Sequence, residues 1–253
     1  MAAKLYAFNL GFVTVPSRWL MAGAPGQMTV PVCGYLIDHP KGRAVFDTGL
    51  HLATQTDQVN YMGAKFNSYQ QCHFHPGEEI SARLEAMQIA PESITYVINS
   101  HLHFDHCGGN ALLPNADIIV QRDEHAFAES GKGGPGYIKN DWATGQTFKV
   151  IDGEHDLFGD GSVVILPTRG HTPGHQSLRV QTELGGEFIL CGDACYLRDN
   201  LDKLQVPGIL ADAEATLAVL KRFRAMQAGG ATLVFGHDPE QWKTLPTAPT
   251  RLG

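Results

Sequence analysis

The stretch NSHLHFDHCGGN, residues Asn99 to Asn110, places His101, His103, Asp105 and His106 within six consecutive residues. Folding alone has no use for so many imidazoles beside a carboxylate. Metal binding does, because imidazole nitrogen and carboxylate oxygen are donors that zinc takes. The stretch begins at the end of SITYVINS, an apolar run rich in β-branched residues, so the four side chains are expected on a loop at the C-terminal end of a strand. Alternation at that exit sends His101 and His103 to one side and leaves Asp105 and His106 to address a neighbouring point.

The same arrangement recurs downstream. VVILPTRG runs into His171, EFILCG into Asp193 and ATLVFG into His237, each a ligand-type residue just beyond a buried apolar run. In layered α/β folds ligands collect beyond the carboxyl ends of the strands, so these loops are expected to converge. Seven donors exceed the needs of one tetrahedral ion and suit two ions that share a carboxylate. The expected division is His101, His103 and His171 on one metal, Asp105, His106 and His237 on the other, and Asp193 as the bridge. Two zinc ions are the expected cofactor, with a hydroxide between them as nucleophile, because zinc lowers the pKa of bound water to roughly 7. Manganese, cobalt or iron also suit such N/O sites.

Two further residues are expected beside the ligands. Asp47, in VFDTG, ends another strand and can accept a hydrogen bond from a ligand histidine, fixing its tautomer. His175, in TPGHQS, reads as a structural partner to the site. His73 and His75 imitate a second metal cluster near Cys72, but no matching donors follow a strand end, and they are left out of the site.

Around these loops the chain alternates strand-like and helix-like segments. PVCGYLID, GRAVFDTG, ADIIVQRD and QSLRVQT join the runs already quoted as strands. PGEEISARLEAMQ, with Ile80, Leu84 and Met87 at helical spacing, and DAEATLAVLKRFRAMQ, with Leu217, Leu220 and Phe223, read as helices, and DEHAFAES as a shorter one. This interleaving favours a layered α/β fold. No linker or short repeat interrupts it, so residues 1–253 read as a single domain. The segment from Leu50 to Phe74 and the glycine-rich KGGPGYIKND lack periodicity and read as long loops, where function often resides.

With 43% hydrophobic and 18% charged residues the composition is that of a soluble protein, and the net charge of −7 argues against a nucleic-acid partner. The N-terminal MAAKLYAFNLGFVTVPSRW is a poor secretory signal, and no apolar run approaches the length a bilayer needs. Five cysteines without a CxxC pair suggest neither a disulfide framework nor a Cys₄ zinc site. A cytoplasmic protein with no membrane partner is expected.

The motifs SHLHFDHCGG, HTPGHQSL, CGD and FGHD resemble the metallo-β-lactamase superfamily, with its HxHxDH signature, later histidine, bridging aspartate and final histidine, from Val32 to His237. The resemblance implies an αββα sandwich, two mixed sheets flanked by helices, with a dinuclear site at one edge. Within the superfamily the chain looks most like the N-acyl homoserine lactone lactonases. GDACY distinguishes them: Tyr196 lies three residues after Asp193, and in that family this tyrosine points into the site. From the residues alone Tyr196 reads as a core tyrosine; the resemblance implies a phenol that stabilises an oxyanion. Asp105 either only ligates metal or also delivers the proton that ring opening requires, and the sequence leaves both open. Phe104, Met21, Tyr61, Met62 and Phe66 are candidates for the substrate wall.

The function implied is quorum quenching by a hydrolase that opens a lactone ring, with a small-molecule substrate and a homodimer consistent with the resemblance. Rival readings are a lactonase for a pyridoxine-derived or γ-lactone, a thioester hydrolase of glyoxalase II type, and a metal-binding module without turnover. The second rival carries a helical C-terminal domain for which little chain remains after Asp193, and the third calls for a closed one-ion site. Asp193 stands where the common two-zinc β-lactamases have Cys or Ser, and His103 where flavodiiron proteins have Glu; RNA processing is disfavoured by the charge.

Overall fold

The computed structural model describes residues 2–253. Among the described residues twelve strands form two sheets. In chain order they are β1 (Lys4–Pro16), β2 (Gln27–His39), β3 (Gly42–Phe46), β4 (Gln71–His73), β5 (Tyr96–Ile98), β6 (Asp117–Gln121), β7 (Phe148–Ile151), β8 (His155–Asp156), β9 (Val163–Pro167), β10 (Gln176–Gln181), β11 (Glu187–Leu190) and β12 (Thr232–Val234). The seven-stranded sheet runs β4-β1-β2-β3-β5-β6-β7 and the five-stranded sheet β12-β11-β10-β9-β8. Both are mixed: β3, β5, β6 and β7 run parallel, as do β11 and β12, and the other pairs are antiparallel.

Period-two alternation builds the layers. On β2, Cys33, Tyr35 and Ile37 face the second sheet while Val30, Val32 and Leu36 face the other way; on β9, Val163 and Ile165 face inward and Val164 and Leu166 outward. The inward sets join Phe46, Ile98, Leu178 and Leu190 in the core between the sheets. Helix Ile80–Glu85 covers the outer face of the large sheet with Ile80 and Leu84, and helix Ala213–Ala228 covers the small sheet with Val219, Leu220 and Phe223. Asp212 caps this second helix by accepting from the Ala215 N–H at 3.0 Å. The result is the four-layer α/β sandwich that the resemblance implies.

Eight of the strands match apolar runs read from the sequence; β1, β4, β7 and β8 do not. β1 is the reason the first residues look like neither a strand nor a signal. Its register shifts between Asn9 and Phe12, where the Gly11 N–H bonds the Asn9 side chain at 3.1 Å, so the alternation reverses midway. The segment read as a loop before Phe74 contains the short helices Gln58–Met62 and Ala64–Asn67 as well as β4.

The outer helix gives a direct test of the layering. Phe223 is fully buried against the small sheet. Phe223→Ala should lower stability by about 3–5 kcal/mol in chemical denaturation. A loss under about 1 kcal/mol, typical of a surface change, would show that this helix is not a structural layer.

Candidate metal centre

Every ligand-type residue singled out in the sequence leaves a strand at the same edge of the sandwich. Phe46 and Ile98 pair on adjacent parallel strands, so Asp47 and the loop Ser100–His106 emerge side by side. Asp193 follows β11 in the short turn Gly192–Ala194, and His237 follows its parallel neighbour β12. His171 leaves β9, which points the same way as β11 because both are antiparallel to β10.

Two donor groups result. One ligand atom from each of His101, His103, His171 and Asp193 lies within 4.8 Å of the others, and Asp105, His106 and His237 form a second such set. Asp193 reaches both. Its Oδ2 is 3.3 Å from His171 Nε2 and 3.7 Å from His101 Nε2, while its Oδ1 is 3.1 Å from His106 Nε2 and 3.0 Å from His237 Nε2. Asp105 Oδ2 stands 3.8 Å from the same two nitrogens.

The nitrogens of His101, His103 and His171 lie 2.8 to 3.2 Å apart. Ligands about 2.05 Å from a tetrahedral zinc sit about 3.3 Å from one another, so this triangle has the size of one face of a zinc tetrahedron. His106 Nε2 and Asp193 Oδ1 are buried and unpartnered by hydrogen-bond geometry despite their separation of 3.1 Å. Buried polar atoms are rarely left this way. A cation between them satisfies both, and the donor set fits a metal pair.

The far sides of the rings fix which nitrogens face inward. His237 Nδ1 is 2.7 Å from the Pro31 carbonyl and His171 Nδ1 is 3.2 Å from that of Ile209; each donates its proton outward and leaves Nε2 for the site. His106 Nδ1 is 2.8 Å from Asp47 Oδ2, and Asp47 Oδ1 accepts the Ser100 N–H at 2.7 Å. His175 accepts the Asp193 N–H at Nε2 (3.0 Å), so its Nδ1 donates to the Thr168 hydroxyl at 2.9 Å. Burial holds His175 down to about 3, which keeps that acceptor free.

Charge follows the same division. Burial, reinforced by neighbouring imidazoles, holds His101 and His103 well below the ordinary histidine range, and burial lowers His171. Burial also opposes a proton on His106 and His237, but Asp193 and Asp105 outweigh it and raise both. Asp193 itself is pulled well below the carboxylate range because His106, His237 and His171 overcome its desolvation. Positive charge therefore collects on His106 and His237, from two different loops, beside Asp193, and protons and metal ions compete for those nitrogens.

Beside this array lies a cavity of about 320 Å³, within the usual size for a small-molecule site. His103, Asp105, His171, Asp193 and His237 reach it, with Tyr196. The Tyr196 hydroxyl is 3.1 Å from His171 Nδ1, and burial together with Asp193 raises its phenol well above the usual range. Phe104 and Phe66 line the cavity as a perpendicular pair with centroids 5.5 Å apart.

Met21, Tyr61 and Met62 do not line it. Tyr61 stacks on His51 at 4.3 Å and spends its hydroxyl on Asp141, Met62 packs into the core against Cys72, and Met21 packs on the rim of that core. The rest of the wall comes from Val13 and Val15 on β1, Trp19 and Val30, which the sequence did not single out, and from Tyr69, Gly133 and Gly136, which lie in the two segments read as long loops of the functional kind. For the first group, Val13 and Val15 at alternate positions were the available signal. His73 bonds the Thr14 hydroxyl at 2.8 Å and takes no part in the site.

Comparison with known proteins agrees with this geometry. A family model described as the metallo-beta-lactamase superfamily matches residues 30–237. The chain is 35% identical over 235 residues to the N-acyl homoserine lactonase AttM of Azorhizobium caulinodans, covering 90% of this chain and 89% of that one. It is 32% identical over 227 residues to N-acyl homoserine lactonase AiiA of Bacillus thuringiensis subsp. kurstaki, covering 89% and 88%. A solved N-acyl homoserine lactone hydrolase, with the product N-hexanoyl-L-homoserine at its catalytic metal centre, superposes with a TM-score of 0.89 at 30% identity and 99% coverage of both chains.

The hydrogen bond from His106 to Asp47 is open to test. Asp47 has φ of 57°, a left-handed conformation that Asn also tolerates, so Asp47→Asn changes the acceptor without straining the turn. Zinc affinity, measured by chelator competition, should fall about 10–100-fold with the fold intact by circular dichroism. Wild-type affinity would show that Asp47 does not hold His106 for metal.

Proposed function

The chain belongs to the metallo-beta-lactamase superfamily and, within it, to the N-acyl homoserine lactonase family, and on that premise we propose that it hydrolyses the ring ester of N-acyl homoserine lactones at a two-zinc centre. The observation that carries this reading is the splitting of the Asp193 carboxylate, one oxygen facing His106 and His237 and the other His101 and His171, beside a cavity that Tyr196 enters. His101, His103 and His171 would hold one ion, Asp105, His106 and His237 the second, and Asp193 both. Zinc fits these N/O donors, and manganese, cobalt or iron can take the same set.

Bound there, a pair of divalent ions supplies Lewis acidity and lowers the pKa of water to about 7. The side chains do the remainder. Tyr196 points its hydroxyl from beside His171 at the carbonyl oxygen on which negative charge develops, and donates to it. The raised phenol keeps its proton at neutral pH, as a donor must. Opening the ring releases an alkoxide that needs a proton, and Asp105, which lines the cavity beside His106 and His237, would carry it. Phe104 and Phe66 close one wall, and the valines of β1 with Trp19 offer apolar surface to the acyl chain.

Asp47 and His175 serve this chemistry without touching substrate, by fixing His106 and the Asp193 backbone. The five cysteines, all free thiols and buried, suit a reducing cytoplasm, and the net charge of −7 suits a partner that is a small molecule and neither nucleic acid nor membrane. Among the described residues no helix is long and apolar enough to cross a membrane. A homodimer is consistent with the family resemblance.

The deciding assay sets the zinc-loaded protein against homoserine lactones of several acyl lengths, γ-butyrolactone, a pyridoxine-type lactone and a thioester. Turnover of the acyl-homoserine lactones is expected; turnover of another ester alone would overturn the substrate while leaving the metal centre standing. His103→Ala should abolish activity. Tyr196→Phe should lower kcat by about 10²-fold at unchanged metal content, and metal loss in that variant would contradict the oxyanion role.

A further inference from the structure

One buried carboxylate outside the ligand set bonds both loops of the His101, His103 and His171 group and the wall of the cavity. Glu124 has no exposed surface and lies in the first turn of the helix Arg122–Glu129 that follows β6. Its Oε1 accepts the Leu102 N–H at 3.0 Å and the Tyr137 hydroxyl at 2.7 Å. Its Oε2 accepts the Thr172 hydroxyl at 2.6 Å and the Gly174 N–H at 3.3 Å.

The four donors come from three working parts. Leu102 sits between the ligands His101 and His103. Thr172 follows His171, and the turn at Gly174 approaches so closely that a Cβ there would lie 2.1 Å from the Glu124 nitrogen. Tyr137 packs its ring edge-on against His103, with centroids 4.6 Å apart. It also closes the loop whose Gly133 and Gly136 line the cavity, and the Gly136 carbonyl accepts the Phe104 N–H at 2.9 Å.

We propose that Glu124 is a positioning residue, a shared anchor that sets the His101–His103 and His171 loops for metal and, through Tyr137, sets the glycine-rich wall for substrate. Burying a carboxylate is costly unless donors converge on it, and here four do from three separate loops. A brace serving packing alone needs no such distribution. Moving either ligand loop by a fraction of an ångström misplaces donors that must meet one ion, while loosening Tyr137 frees the wall without moving a ligand backbone.

The two arms are separable. Thr172→Val keeps shape and removes the bond on the metal side: zinc affinity by chelator competition and kcat should both fall about tenfold, with KM for the preferred lactone unchanged. Tyr137→Phe keeps the ring against His103 and removes the bond to the wall: KM should rise about three- to tenfold with zinc affinity unchanged. Glu124→Gln, which turns one acceptor into a donor facing the Gly174 N–H, should show both effects.

The inference rests on the metal-centre reading above. A wild-type protein that neither binds zinc nor opens lactones would sink that reading first. A functional wild type whose variants keep its zinc affinity, kcat and KM, or lose only melting temperature, would overturn the role of Glu124. Should Glu124→Gln not fold, the two single-arm variants decide the matter: an arm whose own constant does not move removes the shared anchor.

Discussion

The structure turns on a single buried charge. Asp193 has almost no contact with solvent, and an isolated carboxylate in that position would carry a desolvation penalty that no amount of packing offsets. Four imidazoles divided between its two oxygens relieve it. The backbone must bring those groups within about 3 Å of one another, and it does so where side chains have been stripped away. A Cβ on Gly236 would lie 2.5 Å from the Gly192 carbonyl, and one on Gly192, which has φ of 54°, would lie 2.9 Å from His175 Nε2. The glycine before His237 lets its loop cross the one before Asp193, and the glycine before Asp193 lets that loop lie against His175 and Ser100; each crossing is too close for a methyl group.

Topology supplies the convergence that local geometry only finishes. Parallel strands must release their chains at the same edge, so a sheet containing β3, β5 and β6 necessarily gathers Asp47, the His101–His106 loop and the Glu124 helix together. The second sheet does the same with β11 and β12. The core between the sheets holds these two edges in register, because Phe46 and Ile98 from one sheet pack with Leu190 and Val234 from the other. Each of these residues lies within a few positions of a site residue, so loss of packing there would be felt as loss of geometry at the ligands.

This division also explains which parts were legible in the sequence. Residues able to hold a metal are restricted in chemistry, so His101, His103, Asp105, His106, His171, Asp193 and His237 stand out as candidates by residue type and by their place after apolar runs. The strands that are unbroken apolar runs stand out for a similar reason. β1 does not, because the bulge at Gly11 inverts its pattern, and β8, with two residues, is too short to have one. The cavity wall asks only for apolar volume, a condition that Trp19 and Tyr69 meet and that Met21, Tyr61 and Met62 would have met equally well. Which of them faces the cavity depends on how two short helices and a glycine-rich loop settle, and no local periodicity records that. Glu124 is hidden for the opposite reason. Nothing about a glutamate in the first turn of a helix reveals that donors from three distant loops end on it.

Among the buried carboxylates near the site, Asp193, Glu124 and Asp141 differ in what converges on them. Asp193 keeps its charge because imidazoles surround it, and it lies well below the usual carboxylate range. Glu124 is lifted by burial, but four donors pull against that lift. Asp141 has one partner, the Tyr61 hydroxyl, and an Oδ2 without any; burial pushes it up to about 7. Near neutral pH it can take a proton and shed its charge, which costs less than holding an ion with a single donor. The number of convergent donors, more than depth of burial, therefore separates Glu124, on which four donors from three loops end, from Asp141, which has one, although burial raises both. A carboxylate that organises loops is marked by its partners and not by its depth.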